Sequence, residues 1–85
     1  MRIHSAEPMA PTPRQKRLSE LLAEQRQKTG LKQVEVAKEL GRHQPFIANI
    51  ESGQRRVDLV ELIAIADIIG LDLAEVIREL RKIPP

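Results

Sequence analysis

Between Gln33 and Gly53 the chain has room for two short helices and a corner, and for little else. Val36, Ala37 and Leu40 share one helical face, Ile47 and Ile50 share another, and Gly41 falls between them. Gly41 suits the left-handed residue beyond a helix end. Gln44-Pro45 suits a helix start, because a proline in the first turn gives up no amide that the helix needs. The spacing predicts helices over 33–40 and 44–52 that meet at a sharp corner, which is a helix-turn-helix. The outer side of the second helix carries Gln44, Pro45, Phe46 and Asn49, and each of the two amides can make paired hydrogen bonds to a base edge. Phe46 is the only aromatic residue. Ile47 and Ile50 already claim the buried face, so its ring is expected to be partly exposed.

The segments on either side supply three more helices. Thr12-Pro13-Arg14-Gln15 reads as an N-cap, a first-turn proline and a capping-box glutamine, so a helix runs from about 13 to 29 and stops at Gly30. Leu18 and Leu22 mark its inner face. Arg14, Lys16 and Arg17 crowd its first turn, where the helix dipole disfavours cations. Lys32 and His43 stand where Ser or Thr would normally cap the two motif helices, so both starts look weakly held. After Gly53, Arg55 and Arg56 set two guanidiniums beside the motif, well placed to clamp a phosphate. Asp58-Leu59-Val60-Glu61 and Asp72-Leu73-Ala74-Glu75 read as capping boxes that open helices over about 59–69 and 73–82. The first of these turns Leu59, Leu62, Ile65, Ala66 and Ile69 inward and leaves Ile63 and Ile68 over. The second aligns Leu73, Val76, Ile77 and Leu80. No strand pattern occurs, so the expected fold is all-α with five helices in one domain over 12–83. Residues 1–11 form a flexible arm whose Arg2 and His4 could touch phosphates.

Composition limits the function. A chain of 85 residues supports one hydrophobic core. Without cysteine there is neither a disulfide nor a thiolate site, and two isolated histidines make no metal site, so no metal or other cofactor is expected. No apolar run approaches the roughly 18 residues of a membrane span, and no signal peptide opens the chain; the expected compartment is the cytoplasm. The carboxylates lie scattered on helical surfaces, and the lone His43 sits at a helix start, so an enzyme is not expected. The net charge of +2 hides a split: residues 1–56 carry 11 Lys and Arg against 6 acids, whereas 57–85 carry 3 against 6. Such a split favours a polyanion as partner for the first part and another protein chain for the second.

These residues resemble the Cro/repressor-type helix-turn-helix family, also called XRE, over roughly Leu18 to Val76. The match rests on Gly30-Leu31-Lys32-Gln33, Val36-Ala37, Leu40-Gly41, Gln44, Ile47, Ile50-Glu51-Ser52-Gly53, Leu59 through Ile65-Ala66, and Gly70-Leu71. The resemblance implies a compact five-helix, lambda-repressor-like domain that binds double-stranded DNA. It places Gln44, Pro45, Phe46 and Asn49 at the major groove, with Gln44 and Asn49 as the base readers, and has Gln33 touch a phosphate and support Gln44. Pro45 and Phe46 depart from the polar residues common there, which points to contact with thymine methyls. With Gln33, the phosphate contacts expected are Lys32, Arg42, His43, Arg55 and Arg56. Arg26 and Glu51 match a pair that commonly forms a salt bridge between the first and third helices.

The reading is therefore a sequence-specific transcriptional regulator, a repressor acting as a homodimer on a two-fold operator. The alternative is an antitoxin or other interaction module that uses the same fold to cover a toxin or another protein partner. Ile63, Ile68, Val76, Ile77, Leu80 and Ile83 exceed what so small a core can cover. The last five are assigned to the dimer interface; the alternative is that the fifth helix folds back over the first and fourth as the last wall of a monomer.

Overall fold

In the computed structural model, which describes residues 10–85, five helices follow in order: α1 (Pro13–Thr29), α2 (Gln33–Glu39), α3 (Gln44–Ser52), α4 (Leu59–Ile69) and α5 (Leu73–Arg81). Among the described residues there is no strand, and no helix is long and apolar enough to cross a membrane. The arm expected at 1–11, with Arg2 and His4, lies outside the described residues except for its last two positions.

The helix starts follow local side-chain chemistry. Thr12 Oγ1 accepts from the Gln15 amide at 3.2 Å while Gln15 Oε1 accepts from the Thr12 amide at 2.8 Å, a complete capping box with Pro13 in the first turn. Asp58 and Glu61 make the same reciprocal pair at 2.7 and 3.0 Å. At α5 only half of the expected box forms. Asp72 Oδ1 accepts from the Ala74 and Glu75 amides, but the Glu75 carboxylate turns to Arg78 at 2.7 Å. At α2 the weak cap expected of Lys32 is offset from the other direction, because Glu35 Oε1 accepts from the Lys32 amide at 2.7 Å.

The corner between α2 and α3 depends on Gly41. Its φ of +69° is left-handed, and this lets the Arg42 amide reach back to the Ala37 carbonyl at 2.8 Å. Ala37 is fully buried beneath that corner. A larger side chain there would push the two helices apart. Leu22, Val36, Ala37, Ile47, Ile50, Ile65 and Ile69 form one core, with Leu18, Leu31, Leu40, Phe46, Val57, Leu62, Ile68 and Leu71 packed around it.

Two apolar expectations need correction. Leu59 does not face inward. It is 68% exposed, because it opens the first turn of α4, and the buried stripe of that helix comprises Ile65, Ala66 and Ile69 further along. Val76 is not available to a second chain, since one copy of the fold already buries it to 3% exposure. The reason is that α5 folds back on α1. Arg14 Nε donates to the Ile83 carbonyl at 2.7 Å, and Arg17 approaches Glu79 at 3.7 Å while also pairing with Glu20 and Glu24. Arg14 and Arg17, unfavourable at the start of α1, are thus held by acceptors from α1, from α5 and from the residues that follow α5. Gln25 closes the other end by donating to the carbonyls of Ile69 and Gly70 at the end of α4.

The orientation of α1 against α3 is fixed by one ion pair. Arg26 Nε meets Glu51 Oε2 at 2.6 Å and Arg26 Nη2 meets Oε1 at 2.9 Å, with side-chain exposures of only 12% and 9%. The Arg26 Nη1 donates to the Leu31 carbonyl at 2.8 Å, so the turn before α2 is held by the same guanidinium. Its hydrogen bonds to Glu51 raise the Arg26 pKa above the ordinary arginine value against the opposing effect of burial. Removing either partner strands a nearly buried charge. A double-mutant cycle with Arg26→Met and Glu51→Gln, read by urea unfolding, should give a coupling above ~1 kcal/mol, beyond what exposed pairs reach. Additive single-mutant losses would remove this pair from the account of helix orientation.

Candidate nucleic-acid interface

The exposed start of α3 is held in place from below. Glu51, already paired with Arg26, accepts a hydrogen bond from Gln33 Nε2 at 2.9 Å, and Gln33 Oε1 in turn accepts from Gln44 Nε2 at 3.2 Å. A chain of four side chains therefore runs from the α1/α3 contact to the first residue of α3. Each member directs the next. With Glu51 acting only as acceptor, Gln33 must present its amide nitrogen to it and its oxygen to Gln44. Gln44 is left with its own oxygen and one N–H to offer outward, the pattern that matches adenine N6 and N7.

Around Gln44 the expected contact residues fall into two groups. Pro45 is exposed, and Asn49 lies half-buried further along α3. Lys32, His43 and Arg56 are exposed at the rim of the motif. Arg55 behaves differently from its neighbour. Its Nη1 and Nη2 meet the two Glu61 oxygens at 3.0 and 3.1 Å, and Nη1 also donates to the Arg56 carbonyl at 2.8 Å. Arg42 Nη2 approaches the same carboxylate at 3.6 Å. Both guanidiniums lie over the half-buried Phe46 ring, with their central carbons 4.4 and 4.6 Å from its centroid. A cation over an aromatic face is attracted by the ring quadrupole.

Two features of sequence produce this cluster. Gly53, with φ +84°, turns the chain so that the amides of Gln54 and Arg55 both donate to the Asn49 carbonyl. That turn sets Arg55 beside α3. The Asp58 capping box then fixes Glu61 in the first turn of α4, where its carboxylate serves the Asp58 amide and Arg55 together. Hydrogen bonds from Arg55 first, and from the Asp58 backbone second, hold the Glu61 carboxyl below its usual pKa, so it stays ionised near neutrality. Arg55 is raised by the same contact.

Of the two guanidiniums expected to clamp a phosphate, that of Arg55 is thus engaged by Glu61, while Arg56 is exposed. Glu61 was legible only as a capping residue, because its partnership with Arg55 and Arg42 crosses a loop and follows no helical spacing. Among the described residues no cluster of His, Cys, Asp and Glu could hold a metal ion.

Known proteins share the fold that carries this geometry. The family model of a helix-turn-helix domain matches residues 17–81. An XRE-family like protein from Pseudomonas syringae pv. tomato str. DC3000 shares 35% identity at a TM-score of 0.75, over 85% of this chain and 88% of that one. Two structures of the clp gene regulator ClgR from Corynebacterium glutamicum superpose with a TM-score of 0.72 each. Their identities are 22% and 21%, and the match covers 87% and 89% of this chain and 78% and 96% of theirs. At that identity they share the fold alone. No curated protein matches the chain. With most of its length matched by the family and every helix of the motif in place, the chain belongs to the XRE-type helix-turn-helix family.

Proposed function

We propose that the protein is a sequence-specific DNA-binding repressor that reads a two-fold symmetric operator as a homodimer. The observation that carries this reading is the chain of hydrogen bonds from Glu51 through Gln33 to Gln44. It orients a base-reading amide before DNA arrives, and a side chain ordered in advance loses less entropy on binding. Asn49 supplies the second amide, Pro45 an apolar contact, and the exposed edge of Phe46 a further one. Lys32, His43, Arg56 and the outer part of Arg42 surround them with donors for phosphates, which position the protein without reading sequence.

Two copies are needed for the reading to be useful, because one small domain contacts too few base pairs to stand out against random DNA. The apolar surface that favours a second copy lies on α4 and α5. Leu59, Val60, Ile63 and Ile77 are 68%, 76%, 44% and 51% exposed, and Ile68, Leu80 and Ile83 are half-buried beside the core. If each α3 of a self-complementary dimer enters a major groove on the same face of the duplex, the half-sites are centred about 34–36 Å apart, one turn of duplex.

Selection of bound sequences from random duplex DNA supplies the cognate site. On it, Gln44→Ala should cost roughly 1–3 kcal/mol and relax preference at one base pair. Arg56→Ala should weaken cognate and scrambled duplexes alike and flatten the salt dependence by about one. Equal losses from Gln44→Ala on both duplexes would remove it as a base reader.

Sedimentation equilibrium near micromolar concentration tests the assembly. The intact chain should be dimeric, and Ile63→Glu or Ile77→Glu should weaken the dimer at least about tenfold. A monomeric intact chain defeats the homodimer. A stable complex with an unrelated protein in its place favours the antitoxin-like alternative.

A further inference from the structure

Glu61 is assigned neither to bases nor to phosphates, yet it engages two of the cations at the motif. Both of its oxygens are occupied by Arg55, one of them also by the Asp58 amide, and Arg42 stands 3.6 Å away. Its side chain is 16% exposed, whereas Arg55 and Arg42 are 39% and 49% exposed, so geometry holds the contact and salt still screens it in part. The cluster is closed on its other side by the Phe46 ring, over which both guanidiniums lie. Phe46 also packs on the hydrophobic core, one residue before the buried Ile47.

We infer that Glu61 is a specificity-determining residue, which withholds Arg55 and part of the charge of Arg42 from DNA phosphates and locks both guanidiniums over Phe46. This rests on the DNA-binding reading above and adds a role to a residue outside the contact surface. Attraction to phosphate is independent of sequence, so every cation left free raises affinity for all DNA. A carboxylate that neutralises a guanidinium beside the motif lowers that background. The same carboxylate keeps the ring and the two arginines as one rigid body under the first turn of α3, where Gln44 must be held to read a base. Discrimination therefore gains twice, by a lower affinity for random duplex and by a fixed recognition helix. Arg55, in this account, is a cover for Phe46, and Arg56 is the phosphate contact.

The test compares the intact wild-type chain with Glu61→Gln, Arg55→Met and Arg56→Met, using the selected cognate duplex and a scrambled duplex over a series of salt concentrations. Glutamine keeps one oxygen for the Asp58 amide but removes the charge and the second oxygen, which meets Arg55 Nη2 and Arg42, and so loosens the hold on both guanidiniums. Glu61→Gln should steepen the salt dependence on scrambled DNA by about one phosphate contact, raising affinity ~8-fold at 0.1 M salt, and lower the ratio of cognate to scrambled affinity. Arg55→Met should leave the slope on scrambled DNA near the wild-type value, whereas Arg56→Met should flatten it by about one. An unchanged or shallower slope for Glu61→Gln, or equal flattening by the two arginine variants, overturns the inference while a wild-type preference for the cognate duplex leaves the DNA-binding reading standing. A wild-type chain with no preference for any duplex removes both. Should Glu61→Gln fail to fold, as read by its melting transition, the contrast between Arg55→Met and Arg56→Met decides alone.

Discussion

The contact between Arg26 and Glu51 is the constraint on which the rest of this small structure turns. A core of nine buried side chains among the described residues is too small to set three helix orientations by packing alone, since apolar surfaces of similar shape can slide against one another. A guanidinium with two hydrogen bonds to one carboxylate cannot slide without breaking both. Because Arg26 also holds the Leu31 carbonyl, and Glu51 also holds Gln33, the pair fixes α1, the start of α2 and the end of α3 together. The position of Gln44 is a consequence of that arrangement. The face proposed to read bases is thus oriented from the far end of its own helix, through Glu51.

A second carboxylate repeats the pattern on the other side of the motif. Glu61 caps α4 and, in the same position, accepts both terminal nitrogens of Arg55. The loop between α3 and α4 is short and has little apolar content, so packing alone would hold it poorly. The Gly53 turn and the Glu61 contact replace packing with hydrogen bonds. Phe46 gains its place from this as well. An exposed aromatic ring on a recognition helix would be a promiscuous surface, and two guanidiniums over it convert it into a support.

Much of the fold was legible in the sequence because its helix ends are written in local chemistry. Thr12 and Gln15, Asp58 and Glu61, and the glycines at 30, 41, 53 and 70 each act within a few residues of where they stand. The motif helices were legible for the same reason, from the spacing of Val36, Ala37, Ile47 and Ile50 about Gly41. Tertiary placement was not legible in that way. Leu59 has the spacing of an inward residue but lies in the first turn of α4, outside its buried stripe, and Val76 has the spacing of an interface residue but is covered by the body of its own chain. Periodicity shows which side chains share a face and says nothing of what that face meets. The partnership of Arg55 with Glu61 was hidden for a related reason, since a pair across a loop has no period at all.

Charge makes the same point about the difference between sequence and space. Along the chain, a basic first part precedes an acidic remainder, and the split suggests a strongly cationic DNA-binding half. In the fold, two acids of the remainder turn back onto that half: Glu61 takes Arg55 and draws in Arg42, while Glu79 joins Glu20 and Glu24 around Arg17. Arg26 is likewise matched by Glu51. Among the described residues, the exposed cations of the motif and the turns beside it that lack an ion pair are Lys32, Lys38 and Arg56, with His43 exposed as well. A domain that kept all its cations free would hold any duplex by its phosphates and gain little from reading bases. On the proposed reading, the paired arginines leave few cations for phosphates, and base recognition has to supply a larger share of the binding free energy.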